Sequence, residues 1–445
     1  MIFVLLFGLI ALLIFNLYYT KFDYIAPNVV FNASFVFSVF MCTLYYKKWY
    51  VNLNYKTFFI ILIGNVVFSI TCILLSKKRN NEIENDNKNN YELPEYKFKN
   101  SYGILFLILG IITIFATSLY VTRSVGTDLA HLRTALYTYR DKVEFRGEDY
   151  ALPFYLNILT GVMNAGGFWL IALFLTNFKK NKKINLIVLI NIVICLLSTF
   201  LEGSRSMAIN YILFAICYEI YLTNYLNRFE KSIDGKTLIK IVLLGVAILA
   251  SFRLTAVLVG RDNTSSFSTM DYLALYTGAE IKNLDTYLEE DNNNIFQLGK
   301  YTFSTLYSTF APYFNLDSTT SFPFKSINGY NLGNVYTIFY HFYKDLGFLG
   351  VLIFPIFMAA VAQWLYNMAK KCKLKSEYGI NLKSIIYCYT FSGIFYSFFS
   401  NHFFGLIFSL SFIKYLVMWE LMNCFLIKNY KIRLISSKNE IIKLK

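Results

Sequence analysis

Long runs of apolar residues recur along this chain, and they constrain its fold more than any other feature. One helix needs about 20 apolar residues to cross the hydrocarbon core of a bilayer. Runs of about that length recur from the first residues to the C-terminal region. We predict eleven membrane-spanning helices, at residues 2–18, 27–46, 57–76, 101–121, 151–177, 184–200, 206–222, 239–260, 346–369, 384–400 and 404–427.

Composition excludes the other classes of protein. Hydrophobic residues make up 56 % of the 445 residues and charged residues only 16 %, against about 25 % charged in soluble domains. A water-soluble core could not bury so much apolar surface, because such cores stop growing at about 250–300 residues. A disordered chain would need low hydrophobicity. We therefore predict an all-α integral membrane protein with about eleven (10–12) transmembrane helices and two longer outer-face segments.

The net charge of +15 is read as a topology signal. Alternate connections between the predicted spans, together with Lys240 and the C-terminal tail at 428–445, hold 26 of the 42 Lys and Arg residues, whereas the connections at the other face hold 13. Short cytoplasmic loops collect Lys and Arg. The distribution predicts a multi-pass protein with its N-terminus outside and its C-terminus in the cytoplasm. Because the basic residues lie beside spans, a nucleic-acid partner is disfavoured.

Two outer segments are too long to be simple turns. In residues 122–150, apolar residues recur every three or four positions, which predicts an amphipathic helix at the outer leaflet. Residues 261–332 are rich in Tyr, Phe, Ser, Thr and Asn, and long ordered loops are usually functional. The predicted divisions are 1–121 (four spans, with a polar linker at 77–100), 122–150, 151–260 (four spans), an outer domain at 261–345, 346–427 (three spans) and a basic cytoplasmic tail at 428–445.

Several arginines lie at or near the predicted outer boundary of the membrane. Arg253 lies within its predicted span, and Arg205 follows a Gly-Ser pair at the start of another. A guanidinium stays charged and offers a planar fork of donors that suits phosphate. These arginines could therefore bind a pyrophosphate, or they could extend to the interface as ordinary boundary residues. The pyrophosphate candidates are Arg123, Arg140, Arg205, Arg253 and Arg261.

A second candidate region precedes the ninth predicted span. His341 and Asp345 are four residues apart, so they share one face if the segment is helical. A carboxylate can orient a histidine and raise its basicity, which suits deprotonation of a hydroxyl group. Alternatively, Asp345 caps the helix and His341 is an interfacial ring. Glu202, beside Arg205, is the third candidate for a base.

The segment from Asn334 to Tyr366, NVYTIFYHFYKDLGFLGVLIFPIFMAAVAQWLY, carries a family resemblance. It resembles the hallmark segment of Wzy-type oligosaccharide repeat-unit polymerases, which act on O-antigen and capsular polysaccharide. In that segment an N-V-Y-T start is followed by D-[FL]-G-x-x-G, which Asp345, Gly347 and Gly350 match. The span pair around the Gly-Ser-Arg element at 203–205 resembles the same family. The specific resemblance covers about 50 residues.

The resemblance implies a C-type glycosyltransferase fold in the bacterial cytoplasmic membrane. It implies transfer of a growing glycan from undecaprenyl diphosphate to a sugar hydroxyl of a lipid-linked repeat unit, at the outer face and without metal or cofactor. The partners would be that donor and acceptor, the lipid bilayer, and the chain-length regulator and flippase of the same pathway. Tyr330 and Tyr336 are candidates to bind the glycan, because tyrosine offers an apolar face together with a hydroxyl group.

Two alternatives stay open at this point. A flippase or other transporter of lipid-linked oligosaccharides would bind similar substrates, although it would place polar residues through the bilayer midplane and have related halves. No repeat at a fixed period is found in this sequence. An O-antigen ligase-like transferase would share the chemistry and use a different acceptor.

Overall fold

The computed structural model describes residues 1–83, 91–145, 152–201, 205–230, 268–290 and 296–427, and this part of the chain is mostly helical. The helices of the first half are α1 (Ile2–Tyr19), α2 (Pro27–Leu44), α3 (Tyr55–Ile83), α4 (Asn100–Ser124), α5 (Leu132–Phe145), α6 (Phe154–Asn181), α7 (Leu186–Ser198) and α8 (Ser206–Leu226). Those of the second half are α9 (Thr269–Thr277), α10 (Ala279–Glu290), α11 (Ser304–Phe310), α12 (Ile338–Lys370), α13 (Leu382–Phe395), α14 (His402–Ile407) and α15 (Leu410–Leu426). An antiparallel hairpin of β1 (Lys325–Ile327) and β2 (Tyr330–Gly333) precedes α12.

Seven helices of the described residues are long and apolar enough to cross a membrane, so the chain is a multi-pass membrane protein. They are α1, α2, α3, α4, α6, α8 and α12. Three further predicted spans coincide with shorter helices, namely α7 with 13 residues, α13 with 14 and α15 with 17. The predicted span at 239–260 lies outside the described residues. The count of eleven therefore stays a prediction.

Apolar side chains cover the outside of the bundle as well as its interior. Phe7 is 69 % exposed and Leu105 63 %, although both lie within long apolar helices. Inside, polar side chains bond between helices: Asn16 donates to Ser69, and the Trp169 indole donates to the Asn423 carbonyl oxygen, each at 2.9 Å. Because lipid offers no hydrogen bonds, such buried pairs satisfy one another across helices.

The helices define two ends of the bundle. At one, which we call the Asp23 end, α1, α8 and α12 end and α2 begins. Residues of α1, α2, α3 and α12 line one cavity there, together with the turn that follows α8. At the other, which we call the Arg205 end, α2 ends, α8 begins and α9 packs against both. The distribution of Lys and Arg assigns the Asp23 end to the cytoplasm, and this orientation stays a prediction.

The predicted amphipathic segment contains α5, as the apolar spacing indicated. Leu136 and Tyr139 are 5 % and 4 % exposed and pack with Val121 of α4. Leu129 belongs to the same spacing but lies in a short 3-10 turn before α5 and is 40 % exposed. Asp128 ends this regularity, because its carboxylate accepts a hydrogen bond from the His131 N–H and starts a separate turn.

Hydrogen bonds from α10 hold the described part of the large predicted outer segment in place. The Asp285 carboxylate accepts from the Asn54 N–H at 2.8 Å and from the Thr57 hydroxyl at 2.9 Å, which ties α10 to the start of α3. The Asn283 amide donates to the carbonyl oxygens of Leu332 and Val335 at 3.1 and 2.9 Å. These bonds fix the hairpin and the entry to α12 against the span bundle.

Candidate functional site

Arg205 immediately precedes α8, and its side chain contacts the aromatic rings of α9. Its side chain is buried, with the residue only 6 % exposed. The guanidinium carbon lies 5.9 Å from the ring centroid of Tyr272 and 5.5 Å from that of Tyr276. Both distances are within the range of a cation–π interaction, which a guanidinium forms better than an ammonium. Arg205 is thus a positive charge held against two tyrosines.

The two tyrosines present hydroxyl groups beside this charge. Their positions, i and i+4 on α9, put them on one helix face, and their ring centroids are 4.9 Å apart. Burial, with Tyr276 beside it, raises the pKa of Tyr272 to about 12. Its hydroxyl group therefore stays protonated at neutral pH. A charged guanidinium beside neutral phenols can bind an anion and hydrogen-bond to a polar ligand.

Asp271 fixes α9 in this position. The helix begins with a capping box, in which the Ser268 hydroxyl and the Asp271 carboxylate bond each other's backbone N–H. The same carboxylate accepts from the Tyr45 hydroxyl and from Lys48 Nζ, both at 2.9 Å. The Ser268 hydroxyl and then Lys48 hold the pKa of Asp271 well below its usual range. Asp271 therefore joins α9 to the end of α2 as a carboxylate.

This junction has a predictable response to acid. The lowered pKa stabilises the folded protein above the ordinary aspartate pKa, and that contribution is lost as the pH falls through the lowered value. We expect wild-type thermal stability in detergent to fall below about pH 4, by about 1 kcal/mol or less, because Lys48 is exposed. Asp271→Asn should lose that part of the acid dependence, and Lys47→Gln should keep it. An unchanged acid profile in Asp271→Asn would contradict the assignment.

Lys48 extends the site to the hairpin before α12. Its Nζ lies 4.7 Å from the ring centroid of Tyr45 and 6.0 Å from that of Tyr330 on β2. The Asn328 amide donates to the Lys48 carbonyl oxygen at 3.1 Å, which holds the hairpin turn there. Tyr330 is half-buried. The sequence candidate Tyr330 is therefore placed beside a cation, with its ring at the edge of the same surface.

Tyr336 has a different environment from that expected of a residue that binds glycan. It is 1 % exposed, and its hydroxyl donates to the Pro323 carbonyl oxygen at 2.7 Å. Its ring stacks on Tyr340 with 4.3 Å between centroids. Both the ring and the hydroxyl of Tyr336 are thus engaged within the protein, and its part in binding a glycan stays a prediction.

Asp345 bonds to backbone N–H groups and not to His341, as one of the two sequence interpretations expected. The two residues lie about one turn apart on the same face of α12. The Asp345 carboxylate accepts hydrogen bonds from the Tyr301 N–H at 3.0 Å and from the Thr302 N–H at 2.6 Å. His341 is 4 % exposed, and its ring packs 5.3 Å from that of Phe322. The carboxylate thus anchors the segment before α11 rather than orienting the imidazole.

The Asp-x-Gly-x-x-Gly element has a backbone explanation at each position. Asp345 is fully buried and holds two N–H groups, and α12 breaks directly after it, at Leu346 and Gly347. Gly347 has φ +60° and ψ −142°, a conformation that is essentially confined to glycine. At Gly350 an added Cβ would lie 2.0 Å from the Phe342 carbonyl oxygen. The element therefore forms the kink in α12, and Gly350 lets the part of the helix after the kink pass close to the backbone of the part before it.

The remaining arginine candidates are spread more widely. Arg123 is exposed in the last turn of α4, and Arg140 is half-buried on α5. Glu202, Arg253 and Arg261 lie outside the described residues. Within the part of the chain that the structure describes, no group of three or more His, Cys, Asp or Glu side chains could hold a metal ion.

Sequence reasoning missed Tyr272, Tyr276, Asp271 and Lys48. A signal for α9 was present, because Ser268 and Asp271 have the spacing of a capping box and the two tyrosines follow at helical spacing. The pairing of α9 with Arg205 could not be predicted from the sequence, since over 60 residues separate them.

No protein-family model, curated protein or solved structure matches the chain.

Proposed function

We propose that the chain is a membrane glycosyltransferase that polymerises oligosaccharide repeat units carried on undecaprenyl diphosphate. The acceptor sugar's hydroxyl oxygen would attack the anomeric carbon of the donor glycan. The bond from that carbon to the diphosphate oxygen would break, the hydroxyl proton would pass to a base, and undecaprenyl diphosphate would leave. The reaction would take place at the outer face of a bacterial cytoplasmic membrane.

The single observation that carries this proposal is the buried guanidinium of Arg205 against Tyr272 and Tyr276. The leaving diphosphate gains charge as the glycosidic bond breaks, and a fixed cation in a site of low polarity stabilises such charge strongly. Arg205 belongs to the Gly-Ser-Arg element of the resemblance. It also lies at the level of the span ends, where the diphosphate of a membrane-anchored donor would be.

Lys48 and the tyrosines beside it support binding of the glycan. Tyr276, Tyr45 and Tyr330 surround the two cations with rings and hydroxyl groups, the usual combination for contact with sugars. We propose Arg123, Arg140, Arg253 and Arg261 only as additional contacts for the charged lipid. Asp345 is proposed as an anchor of the neighbouring segment, so His341 and Glu202 are the remaining candidates for the base.

Deletion of the protein in its host tests the proposal. We expect loss of long polysaccharide. Single repeat units should still be displayed at the surface, either on undecaprenyl diphosphate or on the molecule to which the finished glycan is normally transferred. The measurement is gel separation of surface glycans together with mass spectrometry of the lipid-linked pool. Retention of single repeats inside the cell would contradict polymerisation and favour the flippase. Normal polymer that fails to reach its final acceptor would favour the ligase-like transferase.

A further inference from the structure

A cavity of about 400 Å³ opens at the Asp23 end, where the proposed function places no substrate. It is lined by the end of α1, the first turn of α2, the part of α3 near Ser76, the last turns of α12 and the turn that follows α8. Asn28, Ser76, Gln363 and Asn367 contribute polar side chains to its wall. A polar cavity at the level where several spans end is open to ligands from water and from the lipid head-group layer.

Two segments that build this cavity repeat one sequence pattern. Residues 18–23 read YYTKFD and residues 225–230 read YLNRFE, so Tyr, a polar residue, a cation, Phe and a carboxylate recur at matched positions. The first segment begins with the last two residues of α1, and the second begins with the last two residues of α8. From both segments the cation and the carboxylate line the cavity.

The two segments also share one backbone conformation. Lys21 and Phe22 have φ of 57° and 60°, and Arg228 and Phe229 have 54° and 56°. In each, the Phe N–H donates to the carbonyl oxygen five residues earlier, at 2.7 Å. A left-handed residue other than glycine costs about 1 kcal/mol, so four around one cavity are a strained arrangement that the surroundings must maintain. Such strain concentrates at binding sites.

Asp23 of the first segment bonds to Asn224, the residue just before the second segment, and to residues of α12. Its carboxylate accepts from the Asn224 amide at 3.0 Å and from the Tyr366 hydroxyl, and Lys370 Nζ lies 4.0 Å away. Lys370 also lies 5.1 Å from the ring centroid of Phe229. The Asp23 charge is therefore balanced within the protein, and Lys370 is held in place by that carboxylate and by the rings beside it.

Lys21 and Arg228 are the cations left at the mouth. Both are exposed, and within the described part of the chain neither forms an ion pair with a carboxylate. The Arg228 guanidinium is positioned over the ring of Tyr91, 5.8 Å from its centroid. The cavity wall has two acidic residues, Asp23 and Glu230, and within the described part of the chain only the Asp23 carboxylate is paired. The mouth therefore carries two cations against one carboxylate.

We propose that this cavity binds a phosphate ester, with Lys21 and Arg228 contacting the phosphate and the polar wall receiving the alcohol part. An arginine fork and a lysine point charge from two converging turns suit a tetrahedral anion with several acceptor oxygens. The ester is either the head group of a phospholipid in the leaflet at this end or a small soluble phosphate ester. The proposal is independent of the polymerase function.

The test measures ligand binding by the purified full chain in detergent. The probes are dioctanoyl phosphatidylglycerol, glycerol 3-phosphate and dioctanoyl glycerol, which lacks phosphate, and binding is followed by native mass spectrometry and thermal shift. The variants are Lys21→Gln with Arg228→Gln, and the charge-preserving Lys21→Arg with Arg228→Lys. Lys180→Gln is the matched control, because Lys180 lies at the same end outside the cavity.

We expect a phosphate-bearing probe to bind, the double Gln variant to weaken that binding at least tenfold, and the charge-preserving variant and the control to stay within about threefold of wild type. Binding of phosphatidylglycerol alone identifies the lipid source, and equal binding of glycerol 3-phosphate identifies a soluble ester. Equal loss in Lys180→Gln, equal binding of dioctanoyl glycerol, or no binding of either phosphate probe to wild type would overturn the proposal. A misfolded Gln variant is recognised by its lowered melting temperature. In that case, the charge-preserving variant and the Lys180→Gln control decide whether binding of the phosphate probe depends on the two charges at the mouth.

Discussion

Replacing Arg205 by alanine is expected to reduce polymer formation at least 100-fold while single lipid-linked repeats persist. Removal of one preorganised hydrogen-bond donor that stabilises a developing anion typically costs about 10²–10³ in rate. Arg205 is 6 % exposed and held against Tyr272 and Tyr276, and α8 contains no Lys or Arg that could replace its charge. The measurement is the length distribution of surface glycan at matched protein abundance.

Two further variants separate loss of charge from loss of structure. Arg205→Lys keeps the charge but loses the planar fork and the ring contact, so we expect partial activity between wild type and Arg205→Ala. Lys56→Ala is the control, since Lys56 is exposed at the same end and carries no role in the proposed site. Its polymer should be normal. Normal polymer length in Arg205→Ala would show that Arg205 does not act on the pyrophosphate.

Gly350→Ala is expected to be the most destabilising single methyl addition in α12. The new Cβ would lie 2.0 Å from the Phe342 carbonyl oxygen, an atom of rigid backbone eight residues earlier. Because neither atom can rotate away, the kink at Leu346 and Gly347 must open, at a cost of about 3 kcal/mol. The measurement is thermal unfolding of purified protein in detergent, together with membrane abundance.

Gly161→Ala is the matched control, since it adds the same methyl group within a long apolar helix. There the new Cβ would meet only the Met418 methyl carbon, at the ordinary distance of 3.8 Å. Alanine also favours a helix by about 1 kcal/mol relative to glycine, so we expect unchanged or slightly raised stability. Equal melting temperatures for Gly350→Ala and Gly161→Ala would contradict the packing explanation of the Asp-x-Gly-x-x-Gly element.

That element illustrates the limit of reasoning from spacing. The i, i+4 spacing of His341 and Asp345 correctly indicated a shared helix face, but not the partners of Asp345. Those partners, the Tyr301 and Thr302 N–H groups, lie over 40 residues earlier in the chain. A buried carboxylate is bound by whichever donors the fold brings to it, and the donors here are backbone groups whose position no side-chain pattern records.

The chain sequence by itself determined the class of protein and the positions of its long helices. Apolar runs of about 20 residues act locally, because each helix satisfies its own backbone hydrogen bonds in lipid. Only the tertiary structure decided that Arg205 meets Tyr272 and Tyr276, that Tyr336 is buried, and that the turns after α1 and α8 share one cavity. Contacts between distant segments depend on how the helices pack against one another, and membrane helices all share the same apolar exterior. Their sequences therefore say where each helix lies along the chain but not which helix it meets.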